Sequence, residues 1–206
     1  MVTKLDEEIG IITDHLRKLN LENNTIIFFS SDNGPHNEGG NTPKFFNSSG
    51  GLRGIKRNLY EGGIRIPLII KWPDKIKKPI ISDHISAFWD FVPTVCEILN
   101  IKIPDDTDGI SYLPAMLNRS QKKHEYLYWE LYGLKFKRAV RINNWKAVQV
   151  FNNKKNNTVI ELYNLNNDPS ESSDIADKHP EIVEKVKNIF NNAHTSNKLY
   201  NLNAYK

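Results

Sequence analysis

Four residues in two short stretches are of the right type to do chemistry. The stretch "SDNGPH", residues 31–36, carries Asp32, Asn33 and His36, and "GGLRGIKRNLYEGGIRIP", residues 50–67, carries Lys56. An aspartate carboxylate and an asparagine carbonyl are hard oxygen donors of the kind that bind Ca²⁺ or Mg²⁺. Neighbouring side chains on a strand point to opposite faces, but where a strand ends the turn can bring both towards one ion. A lysine ammonium is a compact point charge able to meet an oxygen of a phosphate or sulfate. The glycines around Lys56 let the backbone approach another group closely. Arg53 and Arg57 flank it, and Glu61 is placed to pair with a nearby cation. Each stretch also has a plain reading. D-N-G is a common turn tripeptide, and the second stretch reads equally as a loop with solvated cations.

The elements around them set the position. "TIIFFSS" runs into Asp32 without polar alternation, as a strand covered on both faces does, which is typical of a parallel sheet under helices. In open α/β sheets ligands bind beyond the carboxyl ends of strands. Before it, Val2, Leu5, Ile9, Ile12, Leu16 and Leu19 recur every three or four residues as one apolar helical stripe. Helix, short loop and strand make half of a βαβ unit. Residues 32–63 have no period, and a loop of that length is uncommon unless it is functional. "IRIPLIIKW" is the next strand, with Pro67 arguing for an edge or early position. A helix follows from about Phe91, with Asp90 as its cap, Pro93 in its first turn and Val92, Val95, Cys96 and Leu99 as its stripe.

Beyond "LPAMLNRSQKK" the texture changes. "YLYWELY", "FKRAVRI", "WKAVQVF" and "TVIELYNL" predict an antiparallel meander of about four strands. "HPEIVEKVKNIFNNA" predicts a closing helix with Ile182, Val186 and Phe190 on one face. The boundary falls near residue 120, giving a segment 1–119 and a smaller α+β segment 120–206.

Bulk properties exclude several classes. The chain has 206 residues and a net charge of +4, from 28 Lys+Arg against 24 Asp+Glu. Those cations are scattered, whereas a nucleic-acid binder shows a basic stripe. The longest apolar run, "IPLIIKW", is strand-sized and interrupted by Lys71, far short of a membrane span. "MVTKLDEEIG" has no signal-peptide core. One cysteine, Cys96, excludes an internal disulfide and reads as a core thiol. "PDDTDGIS" fails as a calcium loop, with Pro104 and Ala115 at ligand positions. His15, His84, His124 and His179 read as surface, loop or linker residues. Tyr126, Tyr128, Trp129 and Tyr132 read as sheet core rather than a sugar platform. "NSS", "NRS" and "NNT" fit the glycosylation pattern.

Together the long motifs are more specific than either stretch alone. "TIIFFSSDNGPH", "GGLRGIKRNLYEGGIRIPLIIKWP" and "SAFWDFVPTVCEILNI" with "DGISYLPAM" occur in the order seen in the type I sulfatases of the alkaline-phosphatase superfamily, which this chain resembles. "YLYWELY", "RAVRINNWKAV" and "ELYNLNNDPSESSDIADKHPEIV" are similar to the C-terminal part of bacterial arylsulfatases. The resemblance implies an α/β fold: part of an alkaline-phosphatase-like sheet covered by helices, then a small four-stranded antiparallel sheet with a packed helix. It implies hydrolysis of sulfuric esters, arylsulfates or sulfated carbohydrates. It gives Asp32 and Asn33 the family's second pair of metal ligands, usually to Ca²⁺, with Mg²⁺ as an alternative. Lys56 matches the lysine that contacts the sulfate and its bridging oxygen. His36 matches a histidine of one bacterial subgroup and lines the substrate pocket, and Arg53 stands beside Lys56 on the substrate side.

The departures are as informative. Type I sulfatases use a formylglycine made from the Cys or Ser of C/S-x-P-x-R, and that motif is absent here. The first acidic metal pair and the upstream lysine and histidine also have no counterpart. The expectation is the C-terminal half of a sulfatase, inactive alone, whose implied partner is an N-terminal half. The family is mostly periplasmic, extracellular or lysosomal. A related phosphoesterase or phosphonate hydrolase, and a non-catalytic interaction module, are the alternatives.

Overall fold

The computed structural model describes residues 2–132, 136–152 and 157–197. They form two compact units, one from residues up to 30 together with 67–124, the other from 31–66 together with 125 onward.

The first unit opens with α1, Val2–Lys18. Its apolar stripe is only partly covered: Ile9 and Leu16 are half-buried, whereas Val2, Leu5, Ile12 and Leu19 are exposed. Strand β1, Ile27–Ser30, pairs antiparallel with β2, Leu68–Lys71, in register Ile27↔Lys71 to Ser30↔Leu68. The two form a two-stranded sheet. This corrects the expectation of a parallel, doubly covered strand: β1 is half-buried along its length, and its neighbour runs the other way. An unalternating apolar run reports burial and is silent on strand direction. Pro67 sits immediately before β2, where its missing N–H costs no ladder bond, and its carbonyl accepts from Ser30 Oγ at 2.8 Å.

Helix α3, Phe91–Ile98, buries Pro93, Thr94 and Cys96. The predicted stripe is rotated, because Val92 and Leu99 are 48% and 61% exposed. Asp90 occupies the cap position, yet its carboxylate makes no cap bond to its own helix. Instead it is fully buried and accepts from the N–H of Ala87 at 2.8 Å and of Ile110 at 2.9 Å. It also faces His124 Nε2 at 2.8 Å, so His124 is a half-buried partner rather than a linker-surface residue. Thr94 Oγ donates to the Asp90 carbonyl and accepts from the Tyr112 N–H, fixing the approach to α4, Leu113–Met116.

The second unit holds a short helix, α2, Glu61–Ile64, and the predicted meander. Strands β3, Leu127–Leu131, β4, Lys137–Ile142, β5, Trp145–Asn152, and β6, Asn157–Asn164, pair antiparallel in chain order. Alternation splits their side chains between two faces. Val140, Ile142, Ala147 and Leu162 face α5, Pro180–Asn192, and bury its Val186, Ile189 and Phe190. Tyr126 and Tyr128 pack on this same core, as read from the sequence. A second cluster joins Ala139 and Val148 to Leu59, with Tyr60, Ile64 and Trp129 around it, so the loop before α2 is seated on the sheet.

That seat also carries charge. Lys146 is completely buried, with Nζ 2.9 Å from Glu61 Oε1 and 3.5 Å from Glu171 Oε1. Arg141 stands 3.5 Å from the other Glu61 oxygen. Glu171 Oε2 accepts the backbone N–H of Glu61 at 2.6 Å, and its own backbone sits at φ +53°, strained for a residue with a side chain. Burial pushes the Glu61 carboxyl up, but Lys146 and then Arg141 outweigh it and hold it below the usual range. Burial raises Glu171 more than Lys146 lowers it. The ammonium's shorter bond goes to Glu61, which leaves Glu171 poorly compensated.

Glu171, with a raised folded-state value, loses stability as pH climbs from its unfolded pKa of about 4.3 through the folded one. Glu171→Gln removes that loss. Relative to the parent chain it should be more stable at pH 7 than at pH 4, read by urea denaturation at both pH values. An offset independent of pH would contradict the assignment.

Candidate functional site

Residues 31–66 bring the two chemistry-bearing stretches together through the backbone. The Gly34 N–H donates to the Gly63 carbonyl at 2.9 Å, and the Lys56 N–H donates to the Pro35 carbonyl at 2.8 Å. Lys56 is thereby tied at its main chain to the turn that carries Asp32, Asn33 and His36. This approach needs glycine. A Cβ on Gly34 would lie 1.9 Å from the Gly62 carbonyl oxygen, and one on Gly63 would lie 2.2 Å from the Asn58 carbonyl oxygen. Neither contact can relax, because both meet backbone. Gly54, at φ +89°, turns the chain between Arg53 and Lys56.

The side chains divide by role. Asn33 Nδ2 donates to the Gly34 carbonyl at 2.8 Å, which leaves its carbonyl oxygen for another partner. Asp32 is exposed and its carboxylate makes no hydrogen bond among the described residues. His36 Nδ1 accepts the Glu38 N–H at 3.1 Å, so the ring proton of the neutral form sits on Nε2, a donor on the far side of the ring. Glu38 in turn pairs with Arg57, whose guanidinium holds the carboxyl below its usual range. Lys56 is half-buried, and among the described residues its ammonium has no ion pair.

Arg53 differs from the expectation for a substrate contact. One guanidinium nitrogen donates to Tyr163 Oη at 2.8 Å and to the Glu171 carbonyl at 2.9 Å, and the other donates to Tyr60 Oη at 3.0 Å. Its plane lies 3.8 Å over the Tyr60 ring. Glu161 accepts from both phenols, at 2.6 and 2.8 Å. Burial, reinforced by these bonds to Glu161, raises both tyrosines far above the ordinary phenol range. Arg53 therefore fastens the loop to β6. Sequence reading missed Tyr163, Glu161, Glu171 and Lys146, since a network spanning residues 53 to 171 leaves no local spacing to detect.

Asp32 and Asn33 suit a hard cation in kind but not in number. Ca²⁺ takes six to eight oxygens, and among the described residues no group of three or more His, Cys, Asp or Glu is placed to hold a metal. The described residues thus supply at most part of a coordination sphere. Cys96, the only cysteine, is buried in α3 and lies outside any C/S-x-P-x-R sequence, so the chain has no residue to become a formylglycine.

A four-stranded antiparallel sheet with a packed helix in one unit, and a smaller sheet with helices in the other, make up a mixed α/β chain. Residues 54–197 match the family described as N-sulphoglucosamine sulphohydrolase, C-terminal, and residues 1–101 match the family described as Sulfatase. The chain belongs to the type I sulfatase family and corresponds to its C-terminal part. It is 30% identical to an N-acetylgalactosamine-6-O-sulfatase of Bacteroides thetaiotaomicron over 95% of this chain and 41% of that protein. It is 35% identical to the human steryl-sulfatase over 62% of this chain and 23% of that protein. Among solved structures, a Bacteroides thetaiotaomicron sulfatase from work on glycosaminoglycan metabolism superposes with a TM-score of 0.76 at 29% identity, covering 92% of this chain and 42% of the other. BT4656, bound to its substrate D-glucosamine-2-N,6-O-disulfate, gives 0.74 at 26% identity, covering 93% and 38%. The chain thus spans less than half the length of these relatives.

Two outcomes follow from this geometry. Gly34→Ala should destabilise the chain by about 2 kcal/mol and speed amide exchange at Lys56 N–H, read by denaturation and hydrogen-exchange NMR. Normal protection of Lys56 in that variant would refute the steric account. Ca²⁺ at 1 mM should stabilise the chain by no more than about 0.4 kcal/mol, the value for half saturation, measured as a thermal shift.

Proposed function

We propose that this chain is the sulfate-recognising C-terminal portion of a sulfuric ester hydrolase acting on sulfated carbohydrate. The single observation that carries this reading is the Lys56 N–H bond to the Pro35 carbonyl, which sets the lysine beside the D-N-G-P-H turn. Sulfate-ester cleavage needs a nucleophile at sulfur, positive charge on the non-bridging oxygens and a proton for the leaving alkoxide. Lys56 supplies charge to the anionic group, and as the ester bond lengthens it stabilises the oxygen that departs. His36 presents its Nε2–H as a hydrogen-bond donor towards the same group and lines the pocket. Asp32 and Asn33 contribute two oxygens to a Ca²⁺ or Mg²⁺ site completed by groups from elsewhere. Arg53 holds the loop and adds positive field at its edge. No residue here serves as the nucleophile, so the reading assigns the remaining groups to an N-terminal partner segment of the same fold.

Carbohydrate is favoured over aryl esters because relatives matched across nearly the whole chain are named for amino-sugar sulfates. The steryl-sulfatases match over a shorter part.

Inorganic sulfate titrated into the full chain should shift the NMR resonances of residues 33–36 and 56, and Lys56→Ala should weaken binding about tenfold, the loss expected for a charged hydrogen bond of roughly 1.5 kcal/mol. With Ca²⁺ and a chromogenic sulfate ester, no turnover should be seen. Turnover that vanishes in Lys56→Ala would show that the chain carries its own nucleophile. Sulfate binding left intact by Lys56→Ala, or a marked preference for phosphate monoesters, would sink the sulfate reading.

A further inference from the structure

Glu171 lies outside the candidate site, yet it grips both feet of the loop that displays Lys56. The Gly62 N–H donates to the Arg53 carbonyl at 2.7 Å and closes residues 53–62 into a loop, with Lys56 inside it. Glu171 holds one foot through its backbone, because its carbonyl accepts from the Arg53 guanidinium at 2.9 Å. It holds the other through its side chain, because Oε2 accepts the Glu61 N–H at 2.6 Å. Its own turn is seated on the sheet. The Glu171 N–H donates to the Asp168 carbonyl at 3.2 Å, and the Asp168 carboxylate accepts the N–H groups of Ser172 and Ser173. Asp174 Oδ1 accepts the Leu162 N–H at 2.9 Å, which joins the turn to β6. Position 171 is nevertheless a costly place for a glutamate. Its backbone is left-handed, at φ +53°, and its buried Oε1 accepts no hydrogen bond among the described residues. A glycine would remove both costs. What a glycine cannot supply is the acceptor at the Glu61 N–H, and strain retained at one residue points to a role for it.

We propose that Glu171 is a positioning residue for Lys56, and that its bonds to Arg53 and Glu61 set where the loop presents that lysine to sulfate. This rests on the reading of Lys56 as the sulfate contact. The clip works through an acceptor and not through charge, since a neutral carboxyl or amide keeps a carbonyl oxygen for the Glu61 N–H. From Glu61 the constraint passes directly to Gly62 and Gly63. Gly34 rests on their backbone and donates its N–H to the Gly63 carbonyl at 2.9 Å. The next residue, Pro35, offers the carbonyl that the Lys56 N–H meets at 2.8 Å. The clip thus acts on Lys56 from both sides, through the loop that carries it and through the turn that receives it.

Two variants separate the acceptor from the charge. Glu171→Gln loses the charge and keeps the acceptor, whereas Glu171→Met loses both at nearly the same size. Inorganic sulfate is titrated into each full chain by NMR at pH 7, at a temperature where denaturation curves show every variant folded. Glu171→Met should weaken sulfate about fivefold and speed amide exchange at the Lys56 N–H. Glu171→Gln should match the parent in both. In a Lys56→Ala background, Glu171→Met should cause no further loss, because its effect runs through that lysine. Should Glu171→Met fail to fold, Glu171→Asp replaces it with the same expectations, since it keeps the charge, tolerates positive φ and draws the acceptor back by one methylene. Equal sulfate affinity in Glu171→Met and the parent overturns the positioning role. So does an equal loss in Glu171→Gln, which would assign the effect to charge. A loss that persists undiminished in the Lys56→Ala background also overturns it and leaves the Lys56 reading standing. If Lys56→Ala keeps full sulfate affinity, or the parent binds no sulfate, the Lys56 reading falls instead, and exchange at the Lys56 N–H alone decides the clip.

Discussion

A buried ammonium organises the second unit. Lys146 Nζ has no access to water, and it is held between Glu61 of the loop helix and Glu171 beyond β6. Taking a charge out of water costs several kcal/mol unless it is paired, and removing one partner of a buried pair typically costs 3–5 kcal/mol. The cluster therefore admits few alternative arrangements. Glu61 must stay where Lys146 can reach it, and Glu61 opens α2. With α2 fixed, Gly62 and Gly63 are fixed, and with them the backbone surface on which Gly34 rests. The position of the D-N-G-P-H turn is thus set by an ion pair among residues that take no part in its chemistry.

Around this charge cluster the tethers are of different kinds. Leu59 and Tyr60 pack against Ala139 and Val148 by apolar contact. Arg53 reaches Tyr163 and the Glu171 carbonyl by hydrogen bonds. The loop is therefore held by burial, by charge and by directed bonds at once, along residues 53–64. Residues 37–51 are bound mostly to themselves, through successive turns. The tethers to the sheet therefore fall on the side of the loop that carries Lys56.

Much of this was legible in the sequence where periodicity speaks. The four-strand meander and α5 were read correctly because alternation and the four-residue spacing of Ile182, Val186 and Phe190 report faces directly. The D-N-G and G-I-K stretches were legible as residue types suited to a cation and an anion, and the structure ties them together at the backbone. Strand direction was not legible: "TIIFF" looks the same whichever way its neighbour runs, and it pairs antiparallel. The stripe of α3 was misread because Val92 and Leu99 are apolar yet exposed, while Thr94 is polar yet buried through two hydrogen bonds. Asp90 was identified as a cap by position, but its carboxylate serves three groups elsewhere. Long-range polar networks leave no trace in local spacing.

Lys56 is anchored by its amide, not by its ammonium. Every amino acid except proline owns that N–H. The bond that closes the loop is consequently indifferent to which side chain stands at position 56. One codon can therefore exchange the group displayed beside the D-N-G-P-H turn while the closure of the loop is kept.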